Sequence, residues 1–170
     1  MNSNHGHGLG LPDLLDDPEW VVGYLRHWRF DEVGAPRRRD LARLRQLREL
    51  LRRLVDRLDA GKTPTRVDRA ELGGFLVLCA YRRQLADSGS LALVPERRDW
   101  NWFLAEIAAA FAEALALGTE RIKACDNPDC RFAFVDATKN CSRRWCDPRT
   151  CGNRLKVRRF RSRQRGHPSS

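Results

Sequence analysis

The cysteines in the last third of this chain constrain its fold more than any other feature. Four of them form two pairs, each with four residues between its members, and fifteen residues separate the pairs. They are Cys125 with Cys130 and Cys146 with Cys151. A proline stands inside each pair and favours a tight turn there. Four thiolates on two short turns are a donor set that tetrahedral Zn²⁺ prefers, so the spacing predicts a structural zinc site.

The spacing alone leaves the ligand set open. Cys141 stands five residues before Cys146, as Cys146 stands five before Cys151, so either neighbouring pair can complete the site. Gly152 relieves backbone crowding beside Cys151 and favours the later pair. Disulfides or free buried thiols are the alternatives to zinc, and a reducing compartment disfavours the disulfides. Cys79 lies in an apolar run and is expected in the core.

The excess of positive over negative charge lies entirely in the region of these cysteines. The net charge of the 170 residues is +10. Residues 121–170 hold 14 of the 32 Lys and Arg but only four of the 22 Asp and Glu, so the first 120 residues are neutral overall. This asymmetry predicts a polyanionic partner for the C-terminal part. No apolar run suits a signal peptide or a membrane span, which predicts a cytoplasmic protein with no membrane contact.

Apolar periodicity predicts a mostly α fold with a β-hairpin. Helices are expected from Asp17-Pro18 onward, from Pro36 to Gly61, through Leu72–Ala80 with a start at Thr65 or Asp68, and over 99–117. A hairpin is expected from 81–86 and 91–94, and a short strand at 132–135. Trp28, Tyr81, Trp100 and Trp102 are interpreted as core residues rather than pocket residues.

The predicted organisation has four parts. Residues 1–12 and 166–170 are expected to be disordered. Residues 13–120 form the helical domain, and residues 121–165 form a small zinc-ribbon-like module that ends in a basic helix. A module of this size has little core of its own, so metal binding would supply much of its folding energy.

The basic helix is expected to run from about Asn153 to Arg165. Arg154, Arg158, Arg161 and Arg165 would then share one face and bond to phosphate or guanine. Val157 and Phe160 would lie on another face and dock on the zinc module, over which Trp145 packs. The predicted nucleic-acid contacts are Arg143, Arg144, Arg154, Lys156, Arg158, Arg159, Arg161, Arg163 and Arg165. The alternative is a solvated basic helix or a disordered tail.

The two cysteine pairs and the residues around them resemble those of the CGNR zinc-finger family. The resemblance covers residues 125–165, including Phe134-x-Asp136, Ser142-Arg143-Arg144-Trp145-Cys146 and Cys151-Gly152-Asn153-Arg154. It implies that Cys125, Cys130, Cys146 and Cys151 bind zinc and that Cys141 does not. Residues 13–120 are similar in layout to the ABATE domain that usually precedes this finger. That likeness implies a bacterial, stress-induced transcription regulator.

Together these features predict a zinc-dependent, DNA-binding transcription regulator. We expect no enzymatic activity, because the four histidines are scattered and no P-loop, HExxH motif or nucleophile elbow is present. Double-stranded DNA is the expected partner. A homodimer formed through the helical domain and a small-molecule effector are further expectations. The alternatives are an adaptor that docks on an acidic transcription partner and an RNA-binding module.

Overall fold

The computed structural model describes Ser3, residues 12–130 and residues 132–165, without the side chains of residues 159, 162, 163 and 165. The described helices are α1 (Pro18–His27), α2 (Arg38–Asp59), α3 (Arg66–Leu76), α4 (Trp100–Ala116) and α5 (Asn153–Arg165). The strands are β1 (Tyr81–Leu85), β2 (Leu91–Pro95), β3 (Ile122–Ala124) and β4 (Ala133–Val135), paired as two antiparallel hairpins. The predicted class is confirmed: a mostly helical fold with a hairpin, ending in a cysteine cluster and a helix.

Local side-chain caps explain where the helices begin. The Asp17 carboxylate accepts hydrogen bonds from the backbone N–H groups of Glu19 and Trp20, and Pro18 is the first residue of α1. The Asp99 carboxylate accepts from the N–H groups of Asn101 and Trp102 in the same way at the start of α4. Both starts are those predicted, because an N-terminal turn leaves amides that a short acidic side chain satisfies.

Helix α3 begins with a reciprocal cap between Thr65 and Asp68. The Thr65 hydroxyl accepts from the Asp68 N–H at 3.1 Å, and the Asp68 carboxylate accepts from the Thr65 N–H at 2.8 Å. Arg53 and Arg57 of α2 approach the same buried carboxylate. These bonds hold the pKa of Asp68 down at about 2. The helix ends at Leu76, four residues earlier than predicted.

One hydrophobic core joins the helices and the second hairpin. Leu47, Leu51 and Leu54 of α2 pack with Leu104 of α4, and all four are buried. The predicted stripe along α2 is therefore the centre of the core. Residues of β3 and β4 belong to the same cluster, and β3 lies against α2. The core thus crosses position 120, so the C-terminal module is packed on the helical domain.

A buried ion pair attaches the N-terminal segment to α2. The Arg48 guanidinium lies 2.6 Å from the Asp13 carboxylate and donates to the Ser3 hydroxyl at 3.0 Å. Burial by itself raises the pKa of Asp13. The bond and charge of Arg48, with the Leu15 N–H, lower the pKa by more, so the net shift is downward. Ser3 is buried, although it falls in the segment expected to be disordered. The rest of that expectation, for residues 1–2, 4–11 and 166–170, lies outside the described residues.

Three smaller expectations meet different outcomes. Trp100 is buried in the core as interpreted, whereas Trp28 is 57% exposed. Cys79 is only half-buried, because α3 ends before it and the chain turns outward into β1. Leu85 and Leu91 form an exposed cross-strand pair on the first hairpin. The expected homodimer stays a prediction.

None of the helices described is long and apolar enough to cross a bilayer.

The cap of α3 predicts a pH-dependent contribution to stability. The pKa of Asp68 is about 2 in the folded protein, below its ordinary value of 3.8. The stabilisation is therefore complete above about pH 5 and is lost as the pH falls through 4 towards 2. Asp68→Asn should cost about 1 kcal/mol near pH 6, a typical cost for a lost cap. Thermal unfolding at pH 6, 4 and 2.5 measures the gap between variant and wild type.

The matched control is Glu113→Gln, which removes an exposed carboxylate from α4. The difference in stability between this variant and the wild type should be small at every pH. If the difference between Asp68→Asn and the wild type is the same at pH 6 and pH 2.5, the carboxylate charge contributes nothing to the cap.

Candidate metal centre

Four cysteine sulfurs meet at one point between the second hairpin and α5. The Sγ atoms of Cys125, Cys130, Cys146 and Cys151 all lie within 4.8 Å of one another. Cys125 and Cys151 are buried, and the other two are half-buried. The Cys141 sulfur is not part of this group. The structure thus brings together the four cysteines that the family resemblance implies.

The sulfur spacing fits a tetrahedral ion. The Sγ atoms of Cys130 and Cys146 are 3.6 Å apart, and so are those of Cys146 and Cys151. Two ligands at the usual Zn–S distance from one ion are about 3.8 Å apart in a tetrahedron. A disulfide needs about 2.05 Å, and all six cysteines are free thiols. The donor set therefore suits Zn²⁺, and these sulfurs are too far apart to form a disulfide.

The first cysteine pair sits in the turn of the second hairpin. The Cys125 N–H donates to the Phe132 carbonyl at 2.9 Å, which continues the β3–β4 ladder to the edge of the turn. The Cys130 N–H donates to the Asn127 carbonyl, closing a tight turn around Pro128. Buried Asn127 also accepts from the Asp129 N–H through its side chain. These bonds aim both sulfurs to the same side of the turn.

The second cysteine pair lies at the entrance of α5 and not on a further hairpin. The Asp147 carboxylate caps a wide helical turn over Pro148–Gly152, and the Cys151 N–H donates to the Asp147 carbonyl at 2.9 Å. Helix α5 follows without a break at Asn153. A metal held by Cys146 and Cys151 therefore fixes the start of α5 relative to the hairpin.

A buried carboxylate fastens the loop that connects the two pairs. Asp136 is fully buried and accepts from Lys123 Nζ at 2.8 Å, from Thr138 and from the Arg143 N–H. Burial alone would raise its pKa, but these donors hold the pKa of Asp136 well below its usual range. Lys123 Nζ also bonds the Cys141 carbonyl. The role of Cys141 here is carried by its backbone, which has φ 48°.

Two arginines predicted to contact nucleic acid are bonded inside the module. Arg143 donates from Nε to the Trp145 carbonyl at 2.8 Å and from Nη2 to the Cys146 carbonyl, with its guanidinium over the Phe134 ring. Arg144 pairs with Asp126 at 2.6 Å but is exposed. Arg143 therefore supports the second cysteine pair, and its guanidinium is already engaged by two backbone carbonyls.

Trp145 packs beside the second pair, as predicted. Its indole lies against Gly152, where an added Cβ would meet the ring at 3.4 Å. The residue is half-buried, so the indole covers the turn that carries Cys151. The glycine of the Cys151-Gly152 sequence leaves room for this contact.

The remaining predicted contacts lie on α5. Arg154, Lys156, Arg158 and Arg161 are exposed, and Arg158 lies 3.3 Å from Asp129 of the first pair's turn. The backbone of Arg159, Arg163 and Arg165 is helical, but their side chains fall outside the description. Arg149 is not among the predicted contacts, although it too is exposed, in the turn that carries Cys151.

The expected docking of the apolar side of α5 is wrong. Val157 is 48% exposed and Phe160 is 60% exposed, so neither is buried on the zinc module. Leu155 is half-buried instead. At about 100° per residue, Val157 and Phe160 lie on the side of α5 opposite Leu155, so the partial burial of Leu155 leaves them exposed.

Crowding changes the acidity of the thiols. Burial raises the pKa of Cys130 to about 11, and burial next to the other thiols also raises the pKa of Cys146. In the absence of a cation these thiols hold their protons at neutral pH. An ion that binds all four sulfurs must displace those protons.

Three equally spaced cysteines allow a matched test of the ligand set. Cys146→Ser should lose the bound zinc, because three thiolates remain around the ion. Cys141→Ser should keep one zinc per chain, since its sulfur lies outside the group. Plasma mass spectrometry of purified protein measures the metal content. Equal loss in the two variants would contradict the arrangement described here.

Comparison with known proteins agrees with this geometry. Residues 121–164 match the model of the CGNR zinc finger. Residues 1–118 match the ABATE model, whose description is "Putative stress-induced transcription regulator". A comparison with curated proteins finds no match. The chain belongs to the ABATE family and carries a C-terminal CGNR zinc finger whose four clustered cysteines are suited to Zn²⁺.

Proposed function

We propose that this protein is a non-catalytic transcription regulator in which the zinc finger holds α5 against double-stranded DNA. The observation that carries the proposal is the exposure of Arg154, Lys156 and Arg161 on a helix that begins two residues after Cys151. The family description supports the regulatory part of the proposal. Four thiolates leave zinc no open position, which supports a structural rather than a catalytic metal.

The dimensions of α5 suit a groove of duplex DNA. Its 13 residues make a rod about 20 Å long. A helix with side chains is about 10–12 Å wide, and the major groove of B-DNA is about 12 Å wide. Because the cysteine cluster fixes the first turn of α5, little orientational freedom would be lost when the helix binds.

The main prediction concerns the salt dependence of binding. Contacts with about six phosphates give a slope of log K against log salt near −5. Exchange of Arg154, Lys156 and Arg161 for Gln removes three of them and should reduce the slope to about −2.5. Fluorescence anisotropy with a 20-bp labelled duplex between 50 and 300 mM salt measures both slopes.

The control removes the same charge from another surface. Arg38, Arg39 and Arg66 are exposed on α2 and α3, and their exchange for Gln should leave the slope unchanged. Negligible affinity of the wild type for both DNA and RNA at 50 mM salt would overturn the proposal. An equal effect of the two triple variants would show that the attraction is not local to α5.

Two other partners are distinguished by competition. Structured RNA that displaces the duplex at lower concentration than unlabelled DNA would favour the RNA-binding alternative. A protein partner that stays bound after nuclease treatment, and that the α5 variant loses, would favour the adaptor. The exposed basic face of α5 is common to all three hypotheses, and the length and width of the helix favour DNA.

A cavity supports the expected effector. A space of about 600 Å³ lies between α1, α2 and α4, within the usual size for small-ligand sites. Trp20, Tyr24 and Trp28 line one side, and Phe132 reaches it from the zinc finger. The Phe132 carbonyl is the acceptor for the Cys125 N–H, so an occupant would touch a residue bonded to the first cysteine pair.

We expect a neutral, apolar effector, because most of the lining side chains are aromatic or aliphatic and Asp13 neutralises Arg48 there. N-phenyl-1-naphthylamine, a neutral fluorophore, should bind with enhanced emission. Ile107→Trp fills the space and should weaken binding at least tenfold. Val77→Trp, on an exposed site outside the cavity, is the control. Equal binding to the two variants would rule out this cavity as the site.

A further inference from the structure

An apolar strip runs along the side of α5 that faces away from the module. The strip consists of Val157 and Phe160, which are about half or more exposed. The polar Gln164 follows on the same side of the helix and is exposed too. At about 100° per residue these three positions lie within about 60° of one another. They stand opposite Leu155, which is half-buried towards the module. The strip is therefore left uncovered by the described part of the chain.

Basic side chains border the strip on both sides. Arg154 and Arg161 lie along one border, and Lys156 lies along the other. All three are exposed. A partner that covers this face must carry negative charge on two flanks and present an apolar surface between them.

The major groove of DNA has this arrangement. Phosphates line both rims about 12 Å apart, and each thymine places its 5-methyl group on the floor between them. A strip of two apolar residues is too small for a membrane-surface helix, which needs an apolar face along its whole length. We infer that Val157 and Phe160 contact thymine methyl groups, so that the finger prefers A·T pairs at these positions.

This inference rests on the proposed DNA binding and names its reading residues. The arginines and the lysine supply affinity that is independent of sequence, because phosphates are the same at every step. Val157 and Phe160 supply discrimination, because a methyl group distinguishes thymine from uracil and from unmodified cytosine. RNA, which lacks this methyl, would bind less well for the same reason.

The test removes or adds the methyl group alone. A 20-bp A·T duplex is compared with the same duplex carrying deoxyuridine for thymine, and a G·C duplex with the same duplex carrying 5-methylcytosine. Wild-type protein should bind the methylated member of each pair about fivefold more tightly. Phe160→Ala should lose this preference in both pairs while keeping the salt slope and the zinc content. Val67→Ala, exposed on α3, should keep the preference.

The outcomes separate this inference from the proposed function. Equal affinity of the wild type within both pairs overturns the inference and leaves DNA binding intact. No binding to any duplex at 50 mM salt overturns the proposed function itself. Sedimentation with anionic phospholipid vesicles that Phe160→Ala abolishes would assign the strip to a lipid surface, and this too overturns the inference.

Discussion

The convergence of four cysteine sulfurs is the constraint on which the rest of the C-terminal structure depends. It joins the turn of a two-stranded hairpin, which is too short to be stable alone, to the first turn of a helix whose exposed face is mostly basic. Among the described residues no large apolar surface holds α5 in place, since Val157 and Phe160 are exposed. A tetrahedral ion can supply the missing energy and also sets the direction in which the helix leaves the module.

The hairpin also transmits this constraint to the rest of the protein. Strand β3 packs on α2, and Ile122, Ala124 and Ala133 lie in the same core as the leucines of α2. Phe132 extends from this hairpin into the cavity beside α1. The hairpin residue Phe132 is thus in contact with both the first cysteine pair and the cavity.

Local sequence predicts much of this arrangement. Asp17 and Asp99 predict helix starts because a short acidic side chain satisfies free amides of the first turn. The two cysteine pairs predict the metal centre, because the turn between paired thiols is a local property. Strand β3 was not predicted, since three residues carry no periodic signal and the strand exists by pairing with β4. Arg143 was assigned to nucleic acid, although its guanidinium bonds the Trp145 and Cys146 carbonyls.

The sequence by itself determined the zinc-binding chemistry, the confinement of the net positive charge to the last fifty residues and the order of the helices. These properties follow from residue type and short-range spacing. Only the tertiary structure decided that Arg143 serves the fold and that the apolar side of α5 is exposed, whereas for Cys141 it agrees with what the family resemblance implies. Both depend on how the loop and α5 pack against the hairpin, through contacts between residues far apart in the chain, such as Arg143 with Phe134 and Arg158 with Asp129.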